Sequence, residues 1–181
     1  MSGPSGAGKG TVVQGLLARR PEIHLVVSHT TRPARPMEKQ GHHYTFVPER
    51  EFMAMRERGD FLEWAQVHGN YYGTPRSPVE AALAGGRDVI LEIDVQGAAS
   101  VKRQMPEAFL IFIEAPSMAV LEERLRKRRT ERENDLSRRL EDAYDELRRK
   151  RWFDGVVVNT EVDQAVAEVL QLMTKLKESR T

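Results

Sequence analysis

The chain has 181 residues with 40% hydrophobic and 30% charged side chains and a formal net charge of +1. This predicts one folded unit with a real core, and the charge argues neither for nor against binding to nucleic acid. There is no cysteine, signal peptide or apolar run long enough to cross a bilayer, so we exclude disulfides and thiolate metal sites and expect a cytoplasmic protein without a membrane partner.

The first motif, GPSGAGKGT at residues 3–11, fits the phosphate-binding pattern G-x-x-x-x-G-K. Glycines in such a loop let backbone N–H groups turn toward an anion, and Lys9 adds a positive charge. Val12, Val13 and Leu16 fall at helical spacing, which predicts a helix whose N-terminal partial charge favours the same anion. The pattern predicts a triphosphate site, and a flexible Gly/Ser turn is the alternative.

The position of this motif in the chain is unusual. A phosphate-binding loop is expected to follow a buried strand, but only Met1 and Ser2 precede Gly3. Two residues are too short for that strand. We therefore expect the natural protein to begin upstream with an apolar run, so that the first core strand is absent from this chain, and we expect an extended form to be more stable and more active.

Strand and helix patterns alternate along most of the remaining chain. Apolar runs typical of strands lie at 23–28, 88–93, 109–113 and 156–158, and helical periodicity lies at 77–83, 120–125, 136–147 and 162–173. Such alternation predicts an α/β fold with a parallel sheet. Residues 30–75 interrupt it with a strand near 44–47, a helix at 49–58 and a hairpin at 61–72 that turns near Gly69 and Asn70, which predicts an inserted antiparallel unit.

Three basic patterns have competing interpretations. The arginines of the loop at 29–40 are compatible with a solvated loop as well as with a binding site. His42 and His43 suggest a metal site, but adjacent residues of a strand face opposite sides. The stretch at 126–132 suggests a nucleic-acid patch, but acidic residues interrupt it and no aromatic residue is interleaved. We therefore expect neither a metal at the histidines nor a nucleic-acid partner.

Taken together, five motifs make the chain resemble guanylate kinases almost from end to end. They are GPSGAGKGT at 3–11, SHTTRPAR at 28–35 with HHYTFV at 42–47, FLEWAQVHGNYYGT at 61–74, LEIDVQG at 91–97 and VVVN at 156–159. The resemblance implies a P-loop nucleoside-monophosphate-kinase fold, with a core of residues 1–29, 76–121 and 140–181, a GMP-binding insertion at 30–75 and a lid at 122–139. It also implies transfer of the γ-phosphoryl group of MgATP to GMP or dGMP in guanine nucleotide metabolism.

The resemblance also implies roles for individual residues. ATP would be bound by Gly3, Pro4, Ser5, Gly6, Ala7, Gly8, Lys9, Gly10, Thr11 and Asn159. The catalytic cations would be Lys9, Arg124, Arg128 and Arg139. The phosphate of GMP would be bound by Arg32, Arg35, Tyr44 and Tyr72, and its guanine by Ser28, Glu63, Thr74 and Asp94. Mg²⁺ would arrive with ATP, without a direct protein ligand, near Thr11 and Glu92. Tyr44 and Tyr72 as core aromatics, and Glu63 as a solvated hairpin acid, are the alternatives.

Three residues depart from the family pattern. Gly10 stands where a hydroxyl residue usually follows the lysine, Glu92 stands where some members have Asp, and Arg129 replaces a glycine of the lid. Two other functions stay open: a guanylate-kinase-like module that binds phosphorylated peptides without catalysis, and a P-loop kinase for another phosphorylated substrate. Lys9 and the intact loop disfavour the first, and the guanine-binding set disfavours the second. The oligomeric state is left open.

Overall fold

A computed structural model describes residues 1–127 and 133–178, and for residues 133–135 it describes the backbone alone. The chain divides into two compact units, one of Met1–Arg20 with Glu107–Thr181 and one of Pro21–Pro106. The helices are α1 Lys9–Arg19, α2 Glu49–Glu57, α3 Arg76–Ala84, α4 Val95–Gln104, α5 Met118–Lys127, α6 Glu133–Arg149 and α7 Val162–Glu178. The strands are β1 His24–Leu25, β2 His29–Thr30, β3 Thr45–Phe46, β4 Phe61–Val67, β5 Asn70–Pro75, β6 Val89–Ile90, β7 Ile111–Glu114 and β8 Gly155–Val158.

The first unit is built on the parallel pair β7 and β8, in which Ile111 lies opposite Gly155. Residues of β7 are almost all buried, as expected of a continuous apolar run in a parallel sheet. Ser2 forms an isolated parallel bridge with Phe112, and its backbone bonds to Ile111 and Ile113 are both 2.8 Å long. This bridge leads the chain directly into the glycine loop, and α1 behind the loop packs against α7.

The second unit contains the parallel pair β1 and β6 and a four-stranded sheet in the order β3-β2-β5-β4. The predicted hairpin is present as β4 and β5, which are antiparallel. Its two turn residues, His68 and Gly69, have φ values of 49° and 79°. Turns with positive φ at both central positions match the twist of paired strands, so the local sequence accounts for this hairpin.

Two predictions for the second unit need correction. The strand expected at 23–28 is shortened to β1 at His24–Leu25, and a separate strand, β2, begins just after it at His29. The two are distinct because β1 pairs with β6 whereas β2 pairs with β3 and β5. The unit expected to be antiparallel is mixed, since β2 and β3 are parallel. Residues 31–44 between these two strands are long enough for the crossover that parallel pairing requires.

The strand expected at 88–93 is reduced to β6 at Val89–Ile90. The other predicted helices and strands are confirmed with small differences at their ends, and both units combine parallel strand pairs with helices. The boundaries proposed for the insertion and the lid stay predictions. Within the parts of the chain that the structure describes, no helix is long and apolar enough to cross a membrane.

Candidate active site

The glycine loop of the first unit has a backbone that other residues would not adopt easily. Gly3 and Gly8 have φ values of 138° and 90°. A side chain on Gly3 would collide with the carbonyl of Ile113, and one on Gly8 with the amide of Asn159. Gly8 precedes α1 at its N-cap position and provides no side-chain hydrogen bond, and no acidic residue lies in the first turn of the helix. The helix N-terminus is therefore left to bind an anion.

The ammonium group of Lys9 lies over its own loop. Its Nζ donates to the carbonyl oxygens of Gly3 at 2.5 Å and Pro4 at 3.2 Å. Both bonds join the start of the loop to the first residue of α1. The lysine is thus held beside the loop, where its charge adds to that of the helix N-terminus.

Asn159 and Arg124 contact the same loop from β8 and α5. The Asn159 Nδ2 donates to the Ala7 carbonyl at 2.8 Å, and the Arg124 guanidinium donates to the Ala7 and Asn159 carbonyls at 3.4 and 3.1 Å. Asn159 is buried, and its Oδ1 accepts no hydrogen bond from the described residues. Buried acceptors are normally satisfied, so this oxygen is available to a donor group of a ligand.

Of the other residues of this unit that the sequence analysis singled out, the structure describes Thr11 and Arg139 but not Arg128 or Arg129. Thr11 is exposed in the first turn of α1, and Arg139 is half-buried on α6, where it makes an interaction of its own. Arg128 and Arg129 lie outside the described residues.

In the second unit, all the residues predicted to bind guanine come together. Thr74 Oγ1 donates to Glu63 Oε1 at 2.5 Å and lies 3.3 Å from Ser28 Oγ. Ser28, Glu63 and Thr74 are buried. Glu63 lies opposite Thr74 in the β4–β5 ladder, in the same register as Trp64 opposite Gly73. Successive side chains of a strand face opposite sides, so Glu63 lies on the same buried face as Ala65 while Trp64 is exposed.

Asp94 completes this cluster from the start of α4. Its Oδ1 accepts the Gly97 N–H at 2.8 Å, and its Oδ2 accepts from Gln96 Nε2 at 3.2 Å. The pKa of Glu63 is raised to about 7, with burial as the main cause; the bonds from Thr74 lower it, and the negative charge of Asp94 adds to the rise. A buried carboxylate with so few donors is chemically suited to bind a ligand that supplies them.

Gly97 is a member of this site that the sequence did not reveal. A Cβ atom there would lie 2.5 Å from Glu63 Oε2 and 3.1 Å from Asp94 Oδ1. The glycine therefore leaves the space that the Glu63 carboxylate occupies. Its motif, LEIDVQG, contained this glycine, but no local pattern indicates a contact with β4.

The residues predicted to bind the GMP phosphate also cluster in this unit. The Arg32 guanidinium lies 5.5 Å from the centre of the Tyr44 ring, and the Tyr44 and Tyr72 rings meet edge to face at 5.8 Å. The Arg32 guanidinium also interacts electrostatically with Tyr72. Burial raises the pKa of Tyr44, so its hydroxyl keeps its proton. A guanidinium beside two phenols supplies strong donors for a phosphate.

Glu38 is the second residue that sequence reasoning missed. Its carboxylate accepts from both terminal nitrogens of Arg32 at 2.8 and 2.9 Å and from the backbone N–H of Arg35 at 2.8 Å. An acid in a basic, proline-rich loop is usually solvated, so its sequence position gave little signal. The only signal was its spacing, since it follows both arginines within one short loop.

Glu92 lies in the second unit, after β6. Burial is the main cause of the raised pKa of Tyr44, and the charge of Glu92 adds to it. The carboxylate is therefore close enough to the phosphate-binding cluster to influence it. Among residues 1–127 and 133–178, no three His, Cys, Asp or Glu side chains form a group that could hold a metal ion.

The family model for guanylate kinase matches residues 1–176. The chain belongs to the guanylate kinase family. The guanylate kinase of Carboxydothermus hydrogenoformans is 46% identical over 99% of this chain and 89% of its own length. That of Thermobifida fusca is 49% identical over 96% of this chain and 88% of its own.

A solved structure agrees with these relatives. The crystal structure of guanylate kinase from Anaplasma phagocytophilum superposes with a TM-score of 0.79 at 34% identity, covering 96% of this chain and 82% of the other. The predicted P-loop nucleoside-monophosphate-kinase fold of this guanylate kinase family member is thereby confirmed. The roles of its individual residues stay predictions.

Proposed function

We propose that this guanylate kinase family member transfers the γ-phosphoryl group of ATP to GMP or dGMP, giving ADP and GDP or dGDP. The observation that carries the proposal is the buried chain of Ser28, Thr74 and Glu63 beside Asp94. Guanine presents a ring N–H next to an amino group, and one carboxylate accepts from both. Adenine presents an unprotonated ring nitrogen at the same place, which would repel Glu63.

The phosphate of GMP binds to Arg32, Arg35, Tyr44 and Tyr72 in this proposal. Charge-assisted bonds from guanidinium groups are the strongest that side chains offer to a phosphate. The oxygen that attacks ATP belongs to this phosphate and is already anionic, so no general base is required. The arginines and phenols fix its direction of attack.

The triphosphate of ATP binds to the glycine loop, where the backbone N–H groups, Lys9 and the start of α1 supply positive charge. An oxygen of GMP forms a bond to the γ-phosphorus while the bond from that phosphorus to the β,γ-bridging oxygen breaks, and ADP leaves. Phosphoryl transfer of this kind depends mainly on positioning and charge stabilisation. Arg124 contacts the loop because its guanidinium donates to the Ala7 carbonyl. Arg139 and Arg128 are the further cations that we propose for this role.

Mg²⁺ would enter with ATP and would neutralise part of the charge of its phosphates. Mg²⁺ usually keeps several waters and takes few protein ligands. Thr11 has an exposed hydroxyl on α1, and we propose that Thr11 and Glu92 would each act on the ion only through its waters.

The test is a coupled assay of ADP release with MgATP and a panel of GMP, dGMP, AMP, UMP and sugar phosphates. We expect turnover with GMP and dGMP and little with the others, and Lys9→Ala serves as the inactive control. Binding of GMP without ADP release would instead indicate a binding module. Preferred turnover of a sugar phosphate would indicate a different kinase.

A further inference from the structure

The carboxylate of Glu38 forms an ion pair with the guanidinium of Arg32. Both terminal nitrogens of the guanidinium donate to it, one to each oxygen, at 2.8 and 2.9 Å. The same guanidinium also donates to the Pro33 carbonyl at 2.6 Å. A bidentate pair of this kind fixes the plane of the guanidinium as well as its position.

Glu38 also holds the backbone that carries the second arginine. Its Oε2 accepts the Arg35 N–H at 2.8 Å, and its own N–H donates to the Arg35 carbonyl at 2.9 Å. These two bonds close the loop between Arg35 and Glu38 on itself. A carboxylate tied to the backbone in this way cannot leave Arg32 without disturbing the loop.

The pair is largely shielded from water, since the Arg32 and Glu38 side chains are 13% and 14% exposed. Exposed ion pairs contribute little because solvent screens them, and this pair is not of that type. Burial alone would raise the pKa of Glu38, but the bonds from Arg32 and Arg35 outweigh it and hold that pKa below its ordinary value. The carboxylate is therefore ionised at neutral pH and stays paired with Arg32.

We propose that Glu38 is a positioning residue for phosphate binding, which orients Arg32 and the loop of residues 32–38 so that a nucleotide phosphate meets a preformed site. The inference rests on the proposed function, because that function assigns Arg32 and Arg35 to the phosphate of GMP. The competing role is a placeholder: the carboxylate would imitate the phosphate and have to be displaced by it. The backbone bonds to Arg35 favour positioning, and the two roles change the affinity for GMP in opposite directions.

The test compares Glu38→Gln and Glu38→Ala with the intact chain, by calorimetric titration of GMP and by steady-state kinetics with GMP and MgATP. Losing a charged partner of this kind corresponds to a change of about 10- to 100-fold in affinity. We expect Kd and KM for GMP to rise by that factor, with kcat and KM for ATP nearly unchanged. Glu57→Gln is the matched control, because it removes the same charge from an exposed position at the end of α2.

A further comparison tests whether Glu38 acts through Arg32. In an Arg32→Ala background, Glu38→Gln should weaken GMP binding far less than it does in the intact chain. Tighter GMP binding in Glu38→Gln would overturn the proposal in favour of a placeholder, and equal losses for GMP and ATP would reduce Glu38 to general support of folding. If the intact chain binds GMP but releases no ADP, the proposed function fails while the titration still decides the role of Glu38. If it binds no GMP, both fail.

Discussion

Replacing Glu63 by glutamine should damage substrate use and stabilise the ligand-free protein at the same time. The residue is 5% exposed, and its carboxylate accepts a hydrogen bond from the hydroxyl of Thr74. Without a substrate, its charge has few partners. A glutamine side chain at this position is a poorer ligand for guanine, since an amide can accept only one of the two guanine donors, and its NH₂ group faces a donor when turned the other way.

The size of the effect on stability follows from the pKa of Glu63, which burial raises from 4.5 to about 7. Below pH 4.5 the group is protonated in the folded and unfolded states, so folding carries no penalty. As pH rises toward 7, the unfolded state loses its proton first and stability falls. At roughly 1.4 kcal/mol per pKa unit, the penalty above pH 7 is about 3 kcal/mol. Glutamine removes this penalty, but its unpaired NH₂ group destabilises the fold by about 1–3 kcal/mol. The net gain in stability is therefore about 0–2 kcal/mol.

Thermal unfolding of the two proteins at pH 5 and pH 8 measures this difference. A gain of that size corresponds to a rise in Tm of up to about 8 °C at pH 8 for a chain of this length, and at pH 5 we expect the variant to be less stable relative to the intact chain than it is at pH 8. In the same variant, kcat/KM for GMP should fall steeply, since sites that bind a substrate group can discriminate by ~10⁴–10⁵. A difference in Tm that does not change with pH would refute the reasoning about Glu63.

Three further predictions concern Lys9, Gly97 and the protonation of Glu63. Lys9→Ala should abolish ADP release while GMP affinity stays nearly unchanged, because the lysine belongs to the ATP loop; a parallel loss of GMP binding in calorimetry would contradict this. Gly97→Ala should change Tm little or lower it modestly, since the helix preference of alanine, about 1 kcal/mol, is offset by the clash of the new Cβ with the Glu63 carboxylate. KM for GMP should rise about tenfold or more as Glu63 is displaced, with Ser100→Ala on the same helix as the silent control. Below pH 7, GMP binding should release protons, because the guanine donors favour the ionised form of Glu63, whose pKa without ligand is about 7. Calorimetric titrations in two buffers of different ionisation enthalpy measure the number of protons released, which should be smaller for Glu63→Gln. Equal proton release from the two proteins would contradict the assignment of Glu63.

Local patterns predicted the parts of this protein that depend on local chemistry. The glycine loop was predictable because its backbone requires glycine at Gly3 and Gly8, where φ is positive, and because apolar residues at helical spacing follow it. The β4–β5 hairpin was predictable because a Gly-containing turn separates two strand-like runs. The short extent of β1 and the start of β2 at His29 were not, since they depend on which distant strands pair with each.

The candidate site was only partly accessible to the same reasoning. Family resemblance pointed to Glu63; strand alternation puts it on the same face as Ala65, but the pairing of its carboxylate with Thr74 and Ser28 is set by folding. Gly97 and Glu38 were missed because their importance lies in contacts made by folding: one leaves room for a carboxylate, and the other pairs with Arg32 across a loop. Interactions of this kind depend on tertiary structure and leave little trace in a single sequence.

The central claim is that buried acceptors in the second unit select a guanine nucleotide for phosphorylation. Its most direct test is kcat/KM with MgATP for GMP, IMP and AMP, where IMP keeps the ring N–H of guanine and lacks only the amino group. The account predicts the order GMP, then IMP, then AMP, with the largest step at the loss of the ring N–H, because AMP also places a lone pair against Glu63. Equal values for GMP and AMP, or a preference for AMP, would contradict it.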